Sequence, residues 1–121
     1  MPFYQFTVPS DSPSAQLKND IASAITKVHA SVTGAPESYV MVSFTEVPPE
    51  SLFAGGAPVA YGRMVGLIRT GRTEEEKRKL INELADAWSE VTGESREGFA
   101  IFLQEIPGSL MLEYGDVLPE A

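Results

Sequence analysis

The sequence repeats itself at a spacing of 59 residues, and this repeat constrains the possible folds more than any other feature. The tripeptide Val-Thr-Gly at 32–34 recurs at 91–93. Six of the 25 positions in 32–56 are identical to their counterparts in 91–115, where average residue usage would give about one or two. The apolar positions coincide as well, so the sequence predicts two copies of one structural unit.

The two copies, at 1–59 and 60–121, each have the pattern of a strand, a helix and a second strand. We expect them to form one domain over residues 1–121, because a chain of this length supports a single core. The period of the apolar residues changes from two to about 3.6 and back within each copy. The predicted segments are strands over 3–8, 40–44, 64–68 and 99–103, a helix from Leu17 to Val32 with Gly34 as its C-cap, and a helix from Thr73 to Val91 before Gly93.

This order of elements predicts an α/β fold, built as an α+β sandwich. Because a helix crosses between the strands of each copy, those strands run parallel, and two copies give a four-stranded sheet with both helices on one face. Residues 64–68 carry apolar side chains on both faces of their strand. The face without helices therefore needs a cover, and we expect self-association through the loop segments 47–60 and 105–121.

Composition narrows the possible partners and chemistry. A net charge of −8 and a pI near 4.5 disfavour nucleic acid and anionic membranes as partners. The chain has no Cys and one His, which excludes thiolate catalysis and Cys-ligated or multi-His metal sites, so we expect no metal and no cofactor. Neither a signal-peptide pattern nor a long apolar run is present, so we expect a cytoplasmic protein.

The basic residues are concentrated in one short segment. Six of the nine Lys and Arg residues lie in 63–79, which suggests a small cationic spot that binds a small anion. Ion pairs along a helix explain the basic residues after position 73. They do not explain Arg69 and Arg72, which flank a Thr-Gly pair just before the predicted helix N-terminus.

A proline directly after Met1, at the start of a strand in a protein made of two β-α-β units, resembles the tautomerase superfamily. Within it, the whole chain is most similar to the cis-3-chloroacrylic acid dehalogenase group. This resemblance implies a homotrimer in which the sheets form a central barrel. The motifs that carry it are Ala-Ile-Thr at 24–26 before His29, Thr-Gly at 33–34, Gly-Leu at 66–67 before Arg69, Gly-Arg at 71–72, Met111 before Glu-Tyr-Gly at 113–115, and Leu-Pro at 118–119.

The resemblance also implies a role for individual residues. The catalytic proline of the family corresponds to Pro2, which becomes the N-terminus once Met1 is removed. The water-activating histidine corresponds to His29 and the catalytic glutamate to Glu113. The two carboxylate-binding arginines correspond to Arg69 and Arg72.

Two parts of the family pattern differ in this chain. Phe102 stands where the dehalogenase group has an active-site tyrosine, so the ring is kept and the hydroxyl is lost. Ala35 and Tyr39 replace a threonine and a leucine that follow the first helix, so Tyr39 is expected to reshape the pocket wall. These differences weaken the case for efficient dehalogenation.

Each candidate also has a purely structural interpretation. On that interpretation, Pro2 is only the start of an edge strand, and the two arginines are solvated loop residues. His29 occupies the slot of its helix that Trp88 occupies in the second copy, which suits a satisfied core residue, and Glu113 follows a turn and suits a solvated acid. The resemblance favours the functional interpretation in each case.

The resulting hypothesis is a cofactor-free tautomerase that acts on small 2-oxo or enol carboxylates through Pro2. Hydration or dehalogenation of 3-substituted acrylates would be a secondary activity. One alternative is a dedicated cis-3-chloroacrylic acid dehalogenase, or a hydratase and decarboxylase of acetylenic acids. An alternative of another class is a trimeric, cytokine-like binding protein with the same fold.

Overall fold

The computed structural model describes residues 2–121, and Met1 lies outside the described residues. In chain order the elements are β1 (Phe3–Pro9), α1 (Pro13–Gln16), α2 (Lys18–Thr33), a 3-10 turn (Glu37–Tyr39), β2 (Met41–Val47), β3 (Phe53–Ala54), β4 (Ala57–Pro58), β5 (Arg63–Arg69), α3 (Glu74–Thr92), a 3-10 turn (Arg96–Gly98), β6 (Ala100–Ile106), a 3-10 turn (Gly108–Leu110), β7 (Leu112–Glu113) and β8 (Asp116–Val117).

Four long strands form one sheet in the order β2-β1-β5-β6. The outer pairs, β1 with β2 and β5 with β6, are parallel, because α2 or α3 returns the chain to the same end of the sheet. The central pair, β1 with β5, is antiparallel, with Phe3 opposite Leu67. The predicted fold, with two β-α-β units in a four-stranded sheet, is confirmed.

The core lies between the sheet and both helices. Alternate residues of β1 and β5 point into it and meet the apolar stripes of α2 and α3. Trp88 is fully buried, with its ring stacked on Phe99 at a centroid distance of 4.0 Å and in edge contact with Phe6 at 4.9 Å. Burial of a side chain such as Phe6 contributes about 1.5–3 kcal/mol to the free energy of unfolding.

The helix ends follow the predicted signals. Gly34 and Gly93 have φ angles of 78° and 75°, and each donates its N–H to a carbonyl four residues earlier. The hydroxyl of Thr73 accepts a hydrogen bond from the N–H of Glu76, which caps α3. The first helix differs from the prediction: α2 begins at Lys18, because Leu17 separates it from the short α1.

Matching details occur 59 residues apart in the two halves. Each half has a small hairpin after its second long strand, at 53–58 and 112–117. The hairpin turns place Gly55 and Tyr114 in the left-handed region, at φ angles of 59° and 51°. Ion pairs join Lys18 to Glu46 and Lys77 to Glu105, each connecting a helix to the last part of a strand. Duplication of one ancestral unit stays a prediction that these details support.

The face of the sheet opposite the helices is open in the single chain. Met41 and Phe102 on the outer strands are 50 % and 57 % exposed, and Phe3, Val65 and Leu67 between them are only half-buried. Apolar groups on such a face favour contact with another protein surface. No helix of residues 2–121 has the length and apolar character needed to cross a membrane.

Candidate active site

A small pocket lies at the end of the sheet where β1 begins and β5 ends. Its volume is about 20 Å³. The antiparallel pairing of β1 and β5 brings the start of one strand beside the end of the other, and the C-terminal half of α2 closes the third side. The residues that line the pocket are Pro2, His29, Ala35, Tyr39, Arg69 and Arg72.

Five of the seven site residues predicted from the sequence therefore lie together: Pro2, His29, Tyr39, Arg69 and Arg72. Pro2 is buried, and its carbonyl accepts a hydrogen bond from the N–H of Met41 at 3.0 Å, which fixes it against β2. Ala35 and Tyr39 come from the segment between α2 and β2.

The two arginines differ in how they are held. The Arg72 side chain is only 9 % exposed, with Nε 3.3 Å from a carboxylate oxygen of Glu76 and Nη1 donating to the Arg69 carbonyl at 3.2 Å. Burial lowers the pKa of Arg72 from its usual value. Arg69 donates through Nη1 to the Pro119 carbonyl at 2.8 Å. Both lie just before the N-terminus of α3, where the helix dipole also favours an anion.

His29 is fully buried and lies in the last turns of α2, four residues before the helix ends at Thr33. Its Nδ1 is 2.6 Å from the hydroxyl of Tyr4, and the two rings meet edge to face at a centroid distance of 5.6 Å. Among the described residues, nothing forms a hydrogen bond with its Nε2. Burial, followed by the positive charge of Arg72, lowers the pKa of His29 to about 4. The imidazole is therefore neutral near pH 7.

Glu113 and Phe102 are not among the described residues that line the pocket of the single chain. Glu113 is half-buried in β7 and pairs with Asp116 in the second hairpin. The next residue, Tyr114, lies 5.9 Å from Tyr39 between ring centroids, so this hairpin adjoins the pocket wall. Phe102 is opposite Val65 on the open face of the sheet.

Two features of this site could not be predicted from the sequence. Tyr4 belongs to the alternating apolar pattern of β1, which gives no sign that its hydroxyl reaches a histidine 25 residues away. The segment after Leu118 lies against residues 69–73, the arginine loop, where Ala121 donates its N–H to the Thr70 carbonyl at 2.9 Å. The Glu120 carboxylate of the same segment accepts a hydrogen bond from the N–H of Gly108 at 2.7 Å. No pattern in the sequence indicates these contacts.

No group of three or more His, Cys, Asp or Glu within residues 2–121 is arranged to hold a metal ion. The side chains that meet at the pocket supply two guanidinium groups, a neutral imidazole and a buried proline. This set can bind an anion and can donate hydrogen bonds to its oxygens.

Comparison with known proteins agrees with this arrangement. A family model described as an oxalocrotonate tautomerase enzyme matches residues 1–121. The chain belongs to this tautomerase family. A curated relative, 2-hydroxymuconate tautomerase of Bacillus subtilis, is 42 % identical over 36 residues, which are 30 % of this chain. The match spans 58 % of that relative's length.

Two solved structures show what this tautomerase chain is similar to in fold. A crystal structure of N1, a member of the cis-3-chloroacrylic acid dehalogenase family, has a TM-score of 0.91 and 26 % identity, covering 98 % of this chain and 84 % of that chain. A fused 4-OT, solved as an asymmetric trimer, has a TM-score of 0.86 and 19 % identity, covering 95 % and 94 %. The resemblance deduced from the sequence motifs is confirmed.

Proposed function

We propose that this protein is a cofactor-free tautomerase that moves a proton on small 2-oxo or enol carboxylates, with Pro2 as the base. The observation that carries the proposal is the shared pocket of Pro2, His29, Arg69 and Arg72. Removal of Met1 would leave Pro2 with a secondary amine. An ordinary α-amino group has a pKa of about 7.7–8.0, and burial beside two guanidinium groups lowers such a value towards the range of a general base.

The proposed reaction needs only one proton to change place. Arg69 and Arg72 hold the substrate carboxylate. The neutral amine of Pro2 takes the proton from the enol oxygen. As the electron pair of that O–H bond forms the carbonyl, the electrons of the C=C double bond move to the neighbouring carbon, which takes the same proton back from the Pro2 ammonium. The product is the 2-oxo acid, and Pro2 returns to its neutral form.

Substrate entry requires the pocket to open. A cavity of about 20 Å³ is close to the space that one water molecule needs. Tyr39 is 45 % exposed at the pocket wall, so we propose that rotation of its ring admits the substrate carboxylate.

We also propose that the working form is a homotrimer. The open sheet face with Met41, Val65 and Phe102 supports this, and the fused 4-OT with the same fold is a trimer by its description. Sedimentation equilibrium should give three chains per particle at micromolar concentration. A monomer at that concentration would contradict the trimer.

The central experiment is Pro2→Ala assayed with phenylenolpyruvate. The variant keeps an amine but makes it primary and freer to move, so we expect kcat/KM to fall by at least tenfold. Pro13→Ala, at the exposed first position of α1, is the matched control and should stay within twofold of the parent. Mass spectrometry on each preparation establishes whether Met1 is absent. An unchanged kcat/KM in a Pro2→Ala variant lacking Met1 would eliminate Pro2 as the base.

A second candidate activity is hydration or dehalogenation of 3-substituted acrylates, favoured by the structural similarity to N1. Phe102 lacks the hydroxyl that would orient water, and it reaches a pocket only if a neighbouring copy brings it there. We therefore expect Phe102→Tyr to raise the ratio of dehalogenation to tautomerisation. Parallel kcat/KM measurements test this, and a ratio that does not rise refutes it.

A further inference from the structure

The buried contact between Tyr4 and His29 determines where the proton of the imidazole lies. Both side chains are fully buried, and the Tyr4 hydroxyl is 2.6 Å from Nδ1 of His29. The other ring nitrogen, Nε2, belongs to a residue that lines the pocket and has no hydrogen-bond partner among the described residues. Nδ1 is therefore bonded to a core residue, and Nε2 remains without a partner among the described residues.

Two arrangements of protons fit the distance of 2.6 Å between the Tyr4 hydroxyl and Nδ1 of His29, and they differ in how many buried groups they leave unpaired. If Nδ1 carries the proton and donates to Tyr4, the phenol proton needs a second acceptor. Residues 2–121 offer the Tyr4 hydroxyl no acceptor other than His29, so this arrangement leaves two buried groups unpaired, the phenol proton and the lone pair of Nε2. If Tyr4 donates to Nδ1, the phenol proton is paired, the imidazole proton lies on Nε2, and that N–H is the one group of the pair without a partner among the described residues.

The protonation states agree with the second arrangement. Burial raises the pKa of the Tyr4 phenol, so the hydroxyl keeps its proton. The pKa of His29 is lowered to about 4 by burial and by Arg72, so the imidazole carries one proton near pH 7. These directions follow from desolvation of the charged form of each group.

We propose that Tyr4 is a positioning residue whose hydroxyl holds His29 in the Nε2–H form, so that His29 donates a hydrogen bond to a substrate oxygen. This rests on the proposed function for the identity of the site. It assigns His29 a role different from water activation, because a nitrogen that already carries a proton cannot take one from water. The unpartnered Nε2–H finds its acceptor when an anionic or carbonyl oxygen enters beside Arg72.

The first test reads the tautomer directly. His29 is the single histidine of the chain, so ¹⁵N NMR of the uniformly labelled protein at pH 7 reports it without overlap. We expect the parent to show a protonated Nε2 and an unprotonated Nδ1. Tyr4→Phe keeps the ring and removes the hydroxyl, and we expect a mixture of tautomers. Tyr61→Phe makes the same change elsewhere and should leave the spectrum as in the parent.

A protonated Nδ1 in the parent would overturn the proposal, as would a Tyr4→Phe spectrum identical to that of the parent. The kinetic expectation is a fall of about twofold to tenfold in kcat/KM for Tyr4→Phe, because part of the imidazole then carries its proton on Nδ1 and cannot donate from Nε2. The NMR spectrum is recorded without turnover, so it tests the tautomer of His29 even if Pro2 is not the base.

A second pair of variants covers the case in which Tyr4→Phe does not fold. His29→Gln supplies an N–H donor without a basic nitrogen, whereas His29→Leu supplies neither. We expect the Gln variant to keep at least tenfold more kcat/KM than the Leu variant. Equal losses in the two variants would show that donation from this position is not what the site uses, and would overturn the proposal.

Discussion

Acidification is expected to destabilise this protein through its one histidine. In the folded chain, burial and Arg72 lower the pKa of His29 from 6.5 to about 4. The unfolded chain therefore binds a proton below about pH 6.5, while the folded chain stays neutral until about pH 4. The stability that this difference contributes is present above pH 6.5 and is lost as the pH falls between these two values.

The size of this destabilisation follows from the difference between the pKa of His29 in the folded chain and in the unfolded chain. A pKa difference of about 2.5 corresponds to about 3 kcal/mol in the free energy of unfolding. The imidazole is fully buried, so solvent screening does not reduce this figure much. Domains of ordinary stability unfold at a cost of about 5–15 kcal/mol, so protonation of the unfolded chain at His29 removes a considerable part of the total.

Urea unfolding of the parent and of His29→Gln, at one protein concentration and at several pH values from 7 to 4.5, isolates this contribution. The 17 acidic residues titrate in both proteins and cancel in the comparison. We expect the free energy of unfolding of the parent, relative to the variant, to fall by about 2.5 kcal/mol between pH 7 and pH 4.5. A difference that stays constant over this range would refute the reasoning.

Two further predictions concern the arginine loop and the strand beside Tyr4. Arg72→Ala should weaken the binding of a carboxylate substrate by about 3 kcal/mol and Arg69→Ala by about 1.5 kcal/mol, because Arg72 is the more buried. Measuring kcat/KM for a carboxylate substrate and for a neutral carbonyl substrate checks this, and equal losses on both substrates would contradict it. Gly66→Ala should lower stability by about 1–3 kcal/mol, because a Cβ there would lie 2.7 Å from the Tyr4 ring; urea unfolding measures it, and an unchanged midpoint would disprove the clash.

Most of the fold could be predicted because its signals are local. The period of the apolar residues indicated which segments are strands and which are helices, and Gly34 and Gly93 marked the helix ends. The strand ends could not be predicted, because they depend on pairing. β2 continues to Val47, past the predicted end at residue 44, since its parallel register with β1 continues as far as Pro9.

The site divides in the same way. The motifs around Pro2, Arg69 and Arg72 carried a family resemblance, and the pairing of β1 with β5 brings these residues to one pocket. Tyr4 could not be recognised, because a tyrosine in an alternating strand looks like any other core residue. Its importance depends on a contact with His29 across 25 residues of sequence, which only the packing of α2 on β1 creates.

The equivalent positions of the two helices show why the pocket lies beside α2 and not at the matching place beside α3. His29 and Trp88 occupy the same slot, and a threonine hydroxyl four residues later donates to each backbone carbonyl, at 2.7 and 2.8 Å. The polar atom of Trp88 is satisfied, since Nε1 donates to Ser14 at 2.8 Å and Ser14 donates in turn to Glu94. Its indole also fills the space beside the helix and stacks on an aromatic ring. At the same place in the first half is the smaller imidazole of His29, which lines the pocket; its Nδ1 is paired with Tyr4, and its Nε2 has no partner among the described residues. The second half therefore uses this slot for packing, and the first half gives up that packing for an unpaired donor beside two arginines.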